Sequence, residues 1–542
     1  MRELLITTGH NSSAILIEDG QIKWGYETER VTGVKSDSRF PLEHIEHWGQ
    51  SIGRVDMAYV THWSPDGLLS SMATKHWDPT KFLEGVPIHT LDPMKGRSHH
   101  DTHIAAALCY ANSGLRSFPR DGAFGVVVDG FGTLGEHFSV YDLSTGKPQL
   151  VRRIHGYDTS LGLWYQYATA FMGMKMHEDE YKLLGYEAHC PLSMQMEVTN
   201  LAHATAMEWL EAMEKSVYGS EYDPLYNVSA LANVKKSVFD KLTDACEKLL
   251  VTDVHSFEGR AVLAAYVQRV LEYVIKSMVN VHKPKNLLLS GGVFYNVKLN
   301  KELMESIDGF TCVYPLAGDQ GNAIGLYSMA NPNFTFPDNL YWGKRVLRDV
   351  GYVEGLVTGG ADQVYDFVLR QLKSVGYVNL VRKNMEFGPR ALCHTSTLAL
   401  PTSDNVRRIN AMNERNTVMP MAPVLTLRRY KELFERTDQV WLSHHHMIMA
   451  MEYKEHPLES YMGVAHGYDF PYKHHTGRPQ VVHSRDVFMN ALLEEFDGVL
   501  INTSFNFHGK PIALGMDSVV NNHIEEYRRD DTIRTAVITN GE

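Results

Sequence analysis

Leu4-Leu5-Ile6-Thr7-Thr8-Gly9-His10-Asn11-Ser12-Ser13-Ala14-Ile15-Leu16-Ile17 reads as two apolar strands joined by a turn of small polar residues. Leu4 to Thr8 is the first strand and Ala14 to Ile17 the second. Asp19-Gly20 then makes a hairpin turn into a third strand, Ile22 to Tyr26. The turn from Gly9 to Ser13 is a cradle, because backbone N–H groups of small residues can approach a phosphate or hydroxyl closely. A similar plan begins near residue 123. Phe124 to Val128 is a strand, Asp129-Gly130-Phe131-Gly132-Thr133 the turn, and His137 to Tyr141 and Leu150 to Ile154 the next strands around Gly146-Lys147-Pro148.

The same order of strand, polar turn, strand, hairpin and strand thus occurs twice. That duplication is the outline of the actin/Hsp70/sugar-kinase (ASKHA) architecture, two similar α/β halves facing each other across a cleft. Downstream, residues 160–215 read as mostly helical, and Phe257 to Met278 as one long helix with apolar residues at three- and four-residue steps. Asn286 to Ser290 and Thr311 to Tyr314 are short strands. Each runs into a glycine-bearing turn, Gly291-Gly292 and Gly318-Asp319-Gln320-Gly321. The aperiodic, proline- and asparagine-rich stretch from Asn331 to Arg348 marks a domain boundary. It divides the chain into residues 1–340 and 345–542.

Composition restricts the function classes. The chain has 542 residues, 44% hydrophobic and 21% charged, as ordinary globular proteins do. No run of about eighteen apolar residues occurs, so no membrane helix is expected. Met1 to Leu4 leads straight into a strand without a signal-peptide pattern. Five scattered cysteines suit reduced thiols, and a cytoplasmic location is expected. A formal charge of −12 argues against a broad duplex-DNA surface, although a local basic groove is compatible with it.

His99-His100-Asp101-Thr102-His103 opens an alanine-rich run to Tyr110 that reads as a helix. On a helix, His99 and His103 share one face and can share one metal ion, while His100 points elsewhere. Asp129 and Asp319 are strand-end carboxylates, where open α/β sheets place their ligands. Two histidines with two such aspartates form a set suited to iron or manganese with open positions. The competing readings are paired surface or core histidines and aspartates acting as turn formers or helix caps.

Three further motifs stand beyond the boundary: Met385-Glu386-Phe387-Gly388-Pro389-Arg390-Ala391-Leu392, His475-Thr476-Gly477-Arg478-Pro479-Gln480, and the run Asn502 to Pro511. Arginines on stiffened turns suit phosphate oxygens. The competing reading is ordinary turns. His444-His445-His446 reads as a solvated helix end rather than a second metal site.

Taken together these motifs resemble the O-carbamoyltransferase family that modifies nodulation factors and antibiotics. The resemblance is carried by Gly9 to Ala14, Glu29-Arg30, Lys35, Phe40-Pro41, His99 and His103, Asp129-Gly130, Glu180-Tyr181-Lys182, Gly291-Gly292 with Asn296, Gly318-Asp319, Met385 to Leu392 and Asn502 to Asn506. It implies an ASKHA-like transfer domain followed by a YrdC-like domain that makes carbamoyl adenylate from carbamoyl phosphate and ATP. His10 would then deprotonate the acceptor hydroxyl. His99, His103, Asp129 and Asp319 would hold Fe2+ or Mn2+, with Mg2+ able to accompany ATP. Lys35, Lys182 and Asn296 would bind substrate, and Arg390, Arg415, Arg478, Ser504, Asn506 and Lys510 carbamoyl phosphate and ATP. The expected acceptor is a small-molecule alcohol, or a hydroxymethyl pyrimidine in a nucleotide or nucleic acid; a homo-oligomer is compatible with the sequence.

The chain also departs from that pattern. Lys383-Asn384 stand where the family has Gly-Arg, and Cys393-His394-Thr395-Ser396 where Gly-x-Arg-Ser is usual. Met419 occupies the place of a phosphate-binding arginine, and Lys510 that of a glutamate. Two alternatives follow: a threonylcarbamoyl-type tRNA-modifying enzyme, and a catalytically reduced nucleotide-binding protein. The collinear resemblance and acidic charge favour the carbamoyltransferase over the first. The retained His10 and four metal-type ligands favour it over the second.

Overall fold

The computed structural model describes residues 1–45, 52–63, 79–91, 97–114, 116–215, 228–345, 347, 350–382, 384–415, 418–456, 459–466 and 475–540. Lys383, in one departure noted above, and Val346 and Arg348, in the boundary stretch, lie outside them.

The repeat is present as two sheets of one topology. In the first, strands β1 (Arg2–Thr7), β2 (Ser13–Glu18), β3 (Gln21–Glu27), β4 (Met57–Thr61) and β5 (Ile88–Thr90) lie in the order β3-β2-β1-β4-β5. In the second, β6 (Ala123–Val128), β7 (Glu136–Asp142), β8 (Gln149–His155), β9 (Asn286–Ser290) and β10 (Thr311–Val313) lie in the order β8-β7-β6-β9-β10. Each sheet has an antiparallel hairpin side and a parallel side, with β1 pairing β4 and β6 pairing β9 in parallel. Burial explains the composition of the centres. Leu4, Leu5 and Ile6 of β1 and Val126, Val127 and Val128 of β6 are all fully buried, as strands covered on both faces must be.

Every strand read from the sequence in the two halves is present, with ends shifted by at most two residues. The expected long helix runs Phe257–Asn280, and residues 160–215 hold the helices Leu161–Phe171, Glu180–Glu187 and Gln195–Lys215. The parallel strands β4 and β5 escaped the sequence reading. Met57-Ala-Tyr-Val-Thr61 is short, and its nearest glycine and proline, Gly53 and Pro65, stand four residues from its ends.

The second part of the chain is built on a seven-stranded mixed sheet. Its spatial order is Leu356–Gly360, Thr535–Asn540, Tyr377–Val381, Thr395–Ala399, Val499–Ser504, Ala422–Leu425 and Gln480–Val481. This is an α/β fold throughout. The largest apolar cluster joins Val126, Phe138 and Val274 to Tyr430, Phe434, Val440 and Tyr453, so one core crosses from the second sheet into the later residues. Backbone contacts do the same: Thr311 N–H donates to Gln439 O at 2.8 Å, and Trp441 N–H to Thr311 O at 2.9 Å.

Candidate metal centre and adjoining anion cavity

Ser98 stands at the N-cap of the helix His99–Ala111, and its N–H donates to Asp101 Oδ2 at 2.8 Å. This fixes the first turn, and with it both imidazoles. His99 and His103 present Nε2 atoms 3.0 Å apart. Opposite them, Asp129 follows β6 directly, and Asp319 opens the turn Asp319–Gly321 that leads into the helix Asn322–Ala330. His99 Nε2 lies 3.2 Å from Asp129 Oδ2 and 3.1 Å from Asp319 Oδ1. His103 Nε2 lies 3.5 and 3.4 Å from the same two atoms.

Close approach of backbones makes this convergence possible. A Cβ on Gly325 would sit 1.9 Å from Thr102 O, so the two helices touch main chain to main chain. Asn322 consequently reaches the cluster, its Nδ2 lying 3.1 Å from Asp319 Oδ1, 3.3 Å from His103 Nε2 and 3.4 Å from His99 Nδ1. A Cβ on Gly132 would collide with the His99 ring at 2.6 Å.

The donor set fits a divalent transition metal. Four ligand atoms, two nitrogen and two oxygen, lie within 4.8 Å of one another. Bond lengths of about 2.1 Å to one ion would space neighbouring ligands about 3.0–3.4 Å apart, which matches the nitrogen–oxygen separations. Burial opposes a charge on His99, but Asp319 and Asp129 outweigh it and push its pKa up to about 10. Burial likewise opposes charge on the two aspartates, which also repel each other. The histidines prevail and hold both carboxyls below the usual range. The cluster is thus poised for a cation.

The aspartates line one wall of a cavity of about 400 Å³ whose opposite wall comes from the later residues. Among the residues predicted from sequence, His10, Lys35, Asp129, Asn296, Asp319, Arg390, Arg478, Ser504, Asn506 and Lys510 line it together, as does Met419. His10 is half-exposed there, with Nδ1 3.9 Å from Asp319 Oδ2. Arg390 and Arg478 form no ion pair among the described residues. Burial lowers both pKa values, and Arg390 depresses Arg478 further. Arg390 Nε is buried without a hydrogen-bond partner, and its guanidinium stands 5.9 Å from the Tyr295 ring centre. Two unpaired guanidiniums sharing one wall are a site for an anion.

Besides His99 and His103, whose aspartate partners line the cavity in their stead, two predicted residues do not line it. Arg415 instead ties down the 502–506 turn, donating to Thr503 Oγ1 at 2.7 Å, Ser504 Oγ at 3.0 Å and Asn506 Oδ1 at 3.0 Å. Lys182 pairs with Asp179 at 2.8 Å and meets His508 Nε2 at 3.2 Å. Met419 packs on the helix Glu180–Glu187, so close that a Cβ on Gly185 would lie 2.8 Å from its sulfur. The histidine triplet is not a solvated helix end. His446 is buried with Nδ1 3.0 Å from Tyr110 Oη, and His445 Nδ1 donates to Val481 O at 2.7 Å. Among the described residues the only four-ligand cluster is the one above.

Sequence reasoning gave no role to the residues that shape the loop carrying Arg390. Buried Glu386 accepts N–H bonds from Leu392, His394 and Thr395 at 2.7, 2.8 and 3.0 Å, curling the loop around its own carboxylate. Gly388, at φ 102°, is gripped from the end of β3 and from the helix Thr28–Thr32 that follows it. Its N–H donates to Glu27 Oε2 at 3.1 Å, and its carbonyl accepts from Arg30 Nη2 at 2.6 Å.

Two family descriptions match this chain, carbamoyltransferase N-terminus over residues 71–327 and carbamoyltransferase C-terminus over residues 369–533. The chain belongs to the carbamoyltransferase family. It is 25% identical to an uncharacterised protein of Methanocaldococcus jannaschii, over 96% of each chain. It is 24% identical to nodulation protein NolNO of Sinorhizobium fredii, over 93% of this chain and 75% of that one. A third relative is the 3'-hydroxymethylcephem-O-carbamoyltransferase of Amycolatopsis lactamdurans, 27% identical over 43% of this chain and 45% of that one. The protein is accordingly an enzyme of this class. Component A of the Acidaminococcus fermentans (R)-2-hydroxyglutaryl-CoA dehydratase aligns at a TM-score of 0.31 and 15% identity, over 60% of this chain and 97% of that one. The duplication of the fold lies in the sheet topology itself. No helix among the described residues is long and apolar enough to cross a membrane.

Proposed function

We propose that this carbamoyltransferase is ATP-dependent and moves a carbamoyl group onto the hydroxyl of an alcohol through carbamoyl adenylate. One observation carries the reading: a single cavity has an unpaired arginine wall at one end and the metal-type cluster with His10 at the other. In the first half-reaction one water molecule hydrolyses carbamoyl phosphate to carbamate and inorganic phosphate, and the carbamate oxygen then displaces pyrophosphate from the α-phosphorus of ATP. Arg390 and Arg478 hold the phosphoryl oxygens, and Lys510 adds a positive charge at the same wall. In the second, the acceptor oxygen attacks the carbamoyl carbon, the bond to AMP breaks, and the hydroxyl proton passes to His10.

His99, His103, Asp129 and Asp319 would hold iron or manganese, which supplies Lewis-acid stabilisation of phosphate charge when bound. A shared cavity suits this sequence, since a carbamoyl adenylate is spent on water unless solvent is kept out. We assign activation to the residues after 345, as a YrdC-like unit, and transfer to those before 340. The acceptor is a small-molecule or nucleotide alcohol.

The test is exchange of labelled pyrophosphate into ATP, dependent on carbamoyl phosphate and run without acceptor. The parent and His10→Ala should both exchange, while His10→Ala fails to carbamoylate any alcohol the parent accepts. Loss of exchange in His10→Ala would remove the two-site scheme.

A further inference from the structure

Strand β4 ends in Thr61-His62 at the edge of the first sheet where β1 ends in Thr8-Gly9-His10. His62 precedes the matched family range, which begins at residue 71. Its backbone is left-handed, at φ 57°, a conformation that non-glycine residues adopt at a cost and that gathers at functional sites. Its side chain is 19% exposed, and its Nε2 is buried with no hydrogen-bond partner.

The imidazole faces the metal cluster from outside. Its ring stands edge-on to that of His99, centres 4.5 Å apart, and its Nε2 is 3.9 Å from Asp319 Oδ2. Asp319 Oδ1 faces the two ligand nitrogens, so Oδ2 is the oxygen turned away from the ion's place. His10 approaches that same oxygen from the open side, also at 3.9 Å. His62 is not a fifth ligand, because its nitrogens lie outside the group of mutually close donor atoms. A shift of about 1 Å at the ends of the two side chains would bring 3.9 Å to hydrogen-bond length. The second half does the converse. Its matching strand β9 leads into Gly291-Gly292, and a Cβ on Gly292 would lie 2.9 Å from Asp129 Oδ1. One aspartate is given room by a glycine, the other is faced by an imidazole.

We infer that His62 is a positioning residue of the metal centre: its Nε2–H donates to Asp319 Oδ2 and keeps Asp319 on the ion through Oδ1 alone. A one-oxygen Asp319 leaves an ion with open positions for a phosphoryl oxygen. The inference rests on the metal reading given under Proposed function.

The experiment measures Mn2+ affinity of the full chain by competition with a chelating dye, and the visible absorption of the Co2+-loaded protein. His62→Gly relieves the left-handed backbone and deletes the donor, whereas His62→Gln keeps an N–H donor at similar reach. His62→Gly should weaken Mn2+ binding about 10–100-fold, the range seen when an outer hydrogen-bond partner of a ligand is lost. Its Co2+ absorption should also fall, as Asp319 closes on the ion with both oxygens. His62→Gln should bind close to the parent. Parent-like affinity in His62→Gly, or equal losses in both variants, would overturn the inference and leave the metal centre standing. A parent chain that binds no Mn2+ would overturn both.

Discussion

At one end of the cavity four ligand side chains are fixed by regular secondary structure; at the other, two arginines are fixed by loops tied down from distant parts of the chain. The metal end needs only a capped helix, two strand ends and a backbone-to-backbone helix contact at Gly325. The arginine end depends on Glu386, on Arg415 and on the grip of Glu27 and Arg30 around Gly388. Opposite charges are held by opposite architectures, so damage to each end should have a different signature.

His103→Ala should separate the ends most sharply. The variant should lose the metal, and transfer should fall by more than the about 10–100-fold typical of outer-shell changes. Pyrophosphate exchange should persist. Elemental analysis beside the exchange assay checks this, and a variant that keeps its metal would break the contrast. Arg390→Ala should do the reverse: metal content unchanged, exchange down about 10²–10³-fold, the scale for removing one donor from a preorganised charged site. If Arg390→Ala also lost the metal, the two ends would not be independent.

Glu386→Gln addresses how the arginine end is held. The carboxylate accepts three N–H bonds and the Thr395 hydroxyl, at 2.9 Å. An amide meets those donors badly, which should cost about 2–3 kcal/mol of stability and weaken exchange through misplaced Arg390. Urea unfolding measures the first effect.

The smallest expected effect is a pH dependence that belongs to the arginine end alone. Burial pushes Glu526 up to about 8, against partial relief from Asn379 and Arg415. A carboxyl raised on folding contributes stability that is fully present below its ordinary value and lost as pH rises through the folded one. Stability should therefore decline between pH 6 and 8 by about 1–2 kcal/mol more in the parent than in Glu526→Gln. Thermal melts across that range decide it, and parallel pH profiles would assign the proton elsewhere.

The same contrast explains what could be read from the sequence. The metal end was legible because ligand type, helical spacing and strand-end position are local properties. His99 with His103, and Asp129 and Asp319 each beside glycine, announce themselves within a few residues. Arg390 and Arg478 were legible as stiffened arginines, yet their partnerless state and their meeting on one cavity wall depend on tertiary contacts. Arg415 illustrates the difference. It carries the same residue type in the same neighbourhood, but its donors are spent on the 502–506 turn. Glu386 could be seen only as part of a motif, since three of its four donors are backbone N–H groups that any sequence supplies. His62 had a usable signal, a histidine closing an apolar strand as His10 does. It went unread because β4 itself was not recognised.

The bridging segment has a thermodynamic consequence. Residues near Val440 pair with β10, the Trp441 indole N–H donates to Ala111 O at 2.8 Å, and the Ser443 hydroxyl accepts from Val313 N–H at 2.7 Å. Tyr430, Phe434 and Val440 lie in the same apolar cluster as Val126 and Phe138. Contacts of this kind couple the two parts, so that melting one should carry the other with it. Calorimetry should show a single endotherm whose calorimetric and van't Hoff enthalpies agree, rather than two peaks, despite the length of the chain.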